Sequence, residues 1–327
     1  MKHVLARSLG VLLTFALAVP AWVFGRLVPI IGAPVFAILI GMTLSFFKRP
    51  EVLEVGIQFS GKKVLQYSIV FLGFSLDLGV VMRVGAQSLA VMLFTLSAAF
   101  VTAYFAGKAL KLDTNLKILI GVGTSICGAS AIAATAPVIE ANEEDVTLAI
   151  STIFLFNIVA VFLFPALGHL MRMSEDAFGL WAGTAINDTS SVVAAAFSYS
   201  DAAGRFATVV KLTRTLMIIP ITLTLAFARA RGAKGKGGSL NMAKIVPWFI
   251  LGFLAASLIR SLGLLPDAAC SALNEIGKFG ICAAMIAIGL NANPVKLLGN
   301  GVRPILLGLA CWASVALVSL AVQRAGF

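Results

Sequence analysis

Residues 116–139 read LKILIGVGTSICGASAIAATAPVI, an apolar run broken near its middle by Gly121, Gly123 and Gly128. A spanning helix needs about 20 mostly apolar residues to cross roughly 30 Å of hydrocarbon, so the run is long enough. Each glycine weakens helix continuity by up to about 1 kcal/mol relative to Ala, and Pro137 removes a further backbone donor. Irregular backbone at membrane depth persists only where it is buried in protein or lines a watery cavity. The run therefore predicts an interrupted helix at mid-membrane. Its freed amides, with Thr124, Ser125, Cys127, Gly128 and Ser130, are expected to form a substrate site suited to an anion. In a continuous helix the same small residues would instead serve close packing.

The rest of the chain reads alike. Hydrophobic residues make up 60% of 327 positions and charged residues 12%, with a mean hydropathy of +1.00. A soluble domain usually carries about 25% charge, so the surplus apolar surface meets lipid. Eleven segments are apolar enough to span: 8–25, 30–47, 64–81, 86–107, 116–139, 146–168, 177–198, 206–228, 245–262, 270–290 and 303–323. Their length and lack of strict alternation select helices over barrel strands. The expected fold is an all-α polytopic membrane protein of about 10–11 transmembrane helices, one or two of them interrupted at mid-membrane. It forms one transmembrane domain over 1–327, with a flexible, Gly- and Lys-rich cytoplasmic loop at 229–244. Residues 48–63 form a second polar interval with room for a short interfacial helix.

The formal charge of +11 follows orientation. With the N-terminus inside, 17 of the 25 Lys and Arg fall on the cytoplasmic side, 5 outside and 3 within helices, and the acidic stretch 140–145 falls outside. That asymmetry is the positive-inside pattern, with lipid rather than nucleic acid as the partner of the basic residues. The basic start and following apolar run also fit a signal peptide, whose removal would leave ten helices. Cys127, Cys270, Cys282 and Cys311 show no metal-ligand spacing, and no cofactor is implied.

A second small-residue run, 183–191, reads GTAINDTSS and places Asp188 halfway along an apolar segment. An ionisable group there costs a few kcal/mol and faces the bundle interior. Asn187, Asp188, Thr189 and Ser190 are thus expected to form an ion-coupling site for H⁺ or Na⁺, or to hold helices together through an ion pair. In the next segment Lys211 and Arg214 lie three residues apart, on one helix face. Asp188 neutralises only one of them, and the remaining positive charge invites an anionic ligand. Asn291 and Asn293, before Pro294, mark a second candidate helix break or an ordinary helix exit. Glu275 and Lys278 are spaced to pair with each other.

The stretches GTSICGASAIAATAP (123–137), GTAINDTSSVVAAA (183–196) and KLTRTLMIIP (211–220) together resemble the bacterial inner-membrane sulfate exporter family. The resemblance extends from about residue 30 to the C-terminus. It implies kinship with bile-acid symporters and sodium–proton antiporters, in which two interrupted helices cross at mid-membrane between a core and a panel. It also implies a multi-pass protein of the bacterial inner membrane. The two interrupted-run echoes, with a further pair at 71–78 and 287–294, run in palindromic order, which fits a simple five-plus-five inverted repeat poorly.

An intramembrane enzyme is disfavoured. No mid-span His stands ready as a base, no H-E-x-x-H occurs, and Asp188 has no second intramembrane Asp. The expected function is secondary active transport of a small anion (sulfate, sulfonate or small carboxylate), coupled to H⁺ or Na⁺ by alternating access. An anion channel uses the same cations and is the alternative. A homodimer is compatible with the pattern.

Overall fold

The computed structural model describes residues 2–28, 32–218, 220–221, 224–225, 248–292 and 301–326. The expected loop at 229–244 lies outside them. The chain is an all-α polytopic membrane protein. Among the described residues five helices are long and apolar enough to cross a membrane: the part of α1 (Lys2–Leu27) from Arg7 on, α5 (Leu78–Ala109), α8 (Glu143–Leu170), α13 (Asp267–Asn291) and α14 (Val302–Arg324). Shorter helices accompany them: α2 (Ala33–Leu44), α3 (Glu54–Phe59), α4 (Leu65–Gly73) and α12 (Trp248–Ser261). A π-helical turn, Ser60–Val64, joins α3 to α4. Polar caps set several starts. The Asp77 carboxylate accepts from the Gly79 amide at 2.7 Å to begin α5, and the Asn142 side chain accepts from the Asp145 amide at 2.7 Å to begin α8.

The helices form two bundles. One contains α1, α2, α3–α4, α12 and α13. The other contains α5, α8 and α14 together with α6 (Thr114–Ser125), α7 (Ala129–Thr135), α9 (Glu175–Ala185), α10 (Thr189–Tyr199) and α11 (Asp201–Leu216). The bundles meet where α10 packs on α2 and α13 and where α12 packs on α5.

The structure corrects two of the expected spans. Segments 116–139 and 177–198 do not cross; each enters and doubles back. The ring of Tyr199, at the end of α10, stacks 3.9 Å from that of Phe178, in the first turn of α9. Its hydroxyl donates to the Met173 carbonyl at 2.5 Å. In-line half-helices of 11 residues each would hold those rings about 30 Å apart. In the first run a Cβ on Gly123 would meet Ile132 at 2.8 Å, and Leu112, Asp113 and Leu116 line one cavity with Asn142, Glu144 and Asp145.

Two re-entrant hairpins result, α6–α7 and α9–α10. They enter from opposite ends of the bundle, because α8 runs the full length between them. Each entering helix, 12 or 11 residues long, reaches about 17 Å, roughly half a bilayer. The expected sidedness of two loops changes with them. The acidic stretch 140–145, expected outside, shares an end with Lys111 and Asp113, while Arg172 lies beyond the far end of α8. Hydropathy measures how long an apolar run is, not whether it turns.

Candidate functional site

The hairpin tips meet inside the second bundle. The first turns at residues 126–128, where Gly128 has φ 67°, a conformation that L side chains rarely adopt. The second turns through extended backbone at Ile186 (ψ 134°) and Asp188 (φ −100°, ψ 145°).

α11 brings the charges to this junction. It packs along α9 because Gly183 has no side chain: a Cβ there would sit 2.7 Å from Val210 and 3.0 Å from the Ala207 carbonyl. That approach aims Lys211 and Arg214 at both tips. Lys211 Nζ donates to the carbonyls of Ile126 at 2.8 Å, Ile186 at 3.0 Å and Asn187 at 2.5 Å. Arg214 donates through Nε to Ser125 at 2.6 Å, through Nη1 to Ile186 at 3.2 Å and through Nη2 to Thr124 at 2.5 Å. Both side chains are 0% exposed.

These are the carbonyls that α6 and α9 leave unpaired at their C-terminal ends, where the helix dipole is negative. Two cations therefore hold both tips together from one helix. The expected ion pair with Asp188 does not form: neither cation lies within 4 Å of a carboxylate among the described residues. Asp188 instead caps α10, accepting from the Ser190 amide at 2.9 Å and from the Ser190 hydroxyl.

Around this frame several polar groups lack partners. Asn187 is 1% exposed, yet among the described residues neither its Oδ1 nor its Nδ2 is hydrogen-bonded, and the buried Thr124 hydroxyl also has no partner there. Such groups are costly unless something answers them. The Ser125 hydroxyl bonds back to the Val122 carbonyl at 3.1 Å. Cys127 is a buried free thiol. Thr189 and Ser190 are buried, Asp188 is half-buried, and Ser130 is exposed on the first turn of α7.

Asn157 was not singled out in the sequence. From mid-α8 its Oδ1 accepts the Asp188 amide at 3.2 Å, and its Nδ2 lies 3.7 Å from where a Gly128 Cβ would be. It thus touches both tips. Its signal was a lone amide within IFLFNIVAVFLF (153–164).

Asn291 stands apart from this junction. It is the last residue of α13 rather than part of a break, and its Oδ1 accepts from Arg49 Nη2 at 2.8 Å. Asn293 lies outside the described residues. The second interruption is at 186–188 instead. Glu275 and Lys278 do pair, at 3.0 Å. Among the described residues no group of three or more His, Cys, Asp or Glu comes together to hold a metal ion.

The sequence matches the family described as conserved hypothetical protein 698 over residues 9–308. A UPF0324 membrane protein of Streptococcus pyogenes serotype M6 is 51% identical over 328 residues, covering 96% of each chain. A UPF0324 membrane protein of Fusobacterium nucleatum subsp. nucleatum is 42% identical over 336 residues, covering 96% of this chain and 97% of that one. Among solved structures, the sodium proton antiporter MjNhaP1 from Methanocaldococcus jannaschii at pH 8 aligns over 98% of this chain and 99% of its own, at 14% identity and a TM-score of 0.30. The family match and the long apolar helices agree: this chain is a multi-pass membrane protein belonging to the conserved hypothetical protein 698 family, alongside the UPF0324 membrane proteins.

Proposed function

We propose that the chain is a secondary active transporter of a small anion (sulfate, a sulfonate or a small carboxylate), coupled to H⁺ or Na⁺ at Asp188. The observation that carries this reading is the charge balance at the hairpin tips. Lys211 and Arg214 supply two positive charges, Asp188 one negative charge, and the C-terminal ends of α6 and α9 about half a negative charge each. These terms cancel. The N-terminal ends of α7 and α10 then leave a positive field beside the unpaired Asn187 amide and Thr124 hydroxyl.

Asp188 supplies the coupling. It is half-buried, and among the described residues only its Oδ2 is hydrogen-bonded. A proton or Na⁺ on this carboxylate removes the local negative charge, so the anion binds more tightly; by linkage the anion tightens the cation equally. Hairpins inserted from opposite ends suit alternating access, since each tip reaches the junction from its own side. In this reading the site residues are Thr124, Ser125, Cys127, Gly128 and Ser130 on the first hairpin, Asn187 to Ser190 on the second, and Lys211 and Arg214, whose charges offset Asp188 and the carbonyl ends of α6 and α9. Asn157 joins them. The positive-inside rule supports a bacterial inner-membrane location with a cytoplasmic N-terminus, since Arg7, Lys48, Lys62, Lys108 and Lys111 gather at the end where α1 starts.

The test is a thermal-shift panel on the purified protein, followed by flux in liposomes. Sulfate, methanesulfonate or acetate should raise the midpoint as any ligand of the folded state does, by about 2.7 kcal/mol of stability at a hundredfold excess over Kd. Accumulation should require an imposed H⁺ or Na⁺ gradient. If no anion stabilises the protein, the anion assignment is wrong. Flux that follows only the anion's own gradient would make the protein a channel.

A further inference from the structure

A second polar cavity lies away from the hairpin tips, where the two bundles meet at the end from which α9–α10 enters. It has a volume of about 370 Å³ and lies between α1, α2 and α13 on one side and the α10–α11 connection on the other. Lys278, on α13, reaches across this boundary. Its Nζ lies 2.5 Å from Asp201 Oδ2, in the first turn of α11, and 3.0 Å from Glu275 Oε1 on its own helix. One of these bonds ties the bundles together and the other stays within a helix. Cys282, one turn further along α13, lines the same cavity and is fully buried. Arg26 also lines it, with its guanidinium 5.4 Å from the Trp22 ring centroid and no ion-pair partner among the described residues.

We propose that this cavity is a peripheral anion-binding site whose occupation releases a latch between the bundles: an oxyanion takes the place of the Asp201 carboxylate on Lys278. The chemistry follows from who competes with whom. Lys278 is 13% exposed while Asp201 is 57% exposed, so the acid is the partner that solvent and solutes reach. A tetrahedral or planar oxyanion carries negative charge and acceptor oxygens like the carboxylate it displaces, and Arg26 provides a second cation that Asp201 does not engage. Glu275 moves with Lys278, so it positions the ammonium without linking the bundles. Once Asp201 lets go, the charged link across this mouth is gone and the cavity floor at Cys282 opens. The tip reading enters only in the choice of anion as probe.

Cys282 reports the latch directly. The purified full-length protein is alkylated with a charged maleimide, and modification of Cys282 is followed by peptide mass spectrometry. An exposed ion pair is a weak lock, so Asp201→Asn should raise the rate by about threefold to fivefold without any anion. Glu275→Gln should leave it near the wild-type rate. Sodium sulfate should accelerate wild-type labelling beyond sodium chloride at equal ionic strength, and Lys278→Gln should lose that sulfate dependence. Equal rates in Asp201→Asn and wild type would overturn the latch, as would an equal rise in Glu275→Gln. A sulfate effect that survives in Lys278→Gln would overturn the anion site. Because the Asp201→Asn arm contains no anion, its result is independent of whether the tips bind one.

Discussion

The first hairpin turns on Gly128 at φ 67° and starts α7 without a side-chain cap, with Ala129 and Ser130 exposed on its first turn. The second turns through extended backbone and starts α10 under the Asp188 carboxylate, on a helix buried over most of its length. Both entering helices end alike, with carbonyls held by Lys211 and Arg214. The two tips thus share the device that joins them and differ in the groups they expose to the junction. One presents uncharged backbone and hydroxyls. The other carries a carboxylate, set beside cations whose donors are taken up by backbone carbonyls.

The comparison breaks most completely if the hairpins are not hairpins. Single cysteines at Asp113 and Glu144 should label from the same side of the membrane, and one at Arg172 from the other, in an all-or-none pattern. Opposite labelling of Asp113→Cys and Glu144→Cys would restore the first run to a true span and remove the tip-to-tip junction.

The shared device gives the next largest effect. Arg214→Gln removes three hydrogen bonds to buried carbonyls, leaving Ile186 with Lys211 and Ser125 and Thr124 without the guanidinium, which costs about 3 kcal/mol at about 1 kcal/mol each. The measurement is the denaturation midpoint in mild detergent. A midpoint near the wild-type value would mean that other groups or water already satisfy those carbonyls.

The separate turns come after that. Gly128→Ala forces a Cβ into a positive-φ conformation (φ 67°, ψ −130°) that glycine alone adopts readily and should cost about 1–3 kcal/mol. The space itself is open enough, with the nearest atom 3.4 Å away at Ile153. Asp188→Ala removes a cap worth about 1 kcal/mol. If the two losses reverse in size, the second tip, not the first, is the one held by backbone geometry.

Much of this site was legible in the sequence. Asp188 announced itself as a lone acid within an apolar run, and Lys211 with Arg214 as two cations on one helix face. What they bind was not legible, because backbone carbonyls leave no mark in a sequence; hence the expected ion pair with Asp188, where the structure has carbonyl capping. Chain reversal was hidden for a similar reason. A span and a re-entrant hairpin have the same hydropathy, and the contacts that distinguish them, such as Phe178 on Tyr199, join residues 21 positions apart. Asn157 had a usable signal. The Asn-rich stretch at 291–294 looked like a break because Pro294 cannot easily continue a helix, yet α13 ends at Asn291 before Pro294 is reached.

The smallest expected change in stability is also the most informative about coupling. Asp188→Asn keeps an oxygen able to accept from the Ser190 amide, and Asn is as good an N-cap as Asp. Loss of the charge at the start of α10 forfeits about 0.3–1 kcal/mol of dipole interaction, so the protein should fold and purify normally. Its transport should not be normal. With a neutral amide at 188 the proposed coupling carboxylate is gone, and gradient-driven accumulation should vanish. The junction meanwhile gains one unit of positive charge, so stabilisation by sulfate or acetate should persist or grow. That combination, intact folding and anion binding without accumulation, separates a coupling carboxylate from a structural cap. Accumulation at the wild-type rate in Asp188→Asn would assign the carboxylate to capping α10 and move the coupling ion elsewhere.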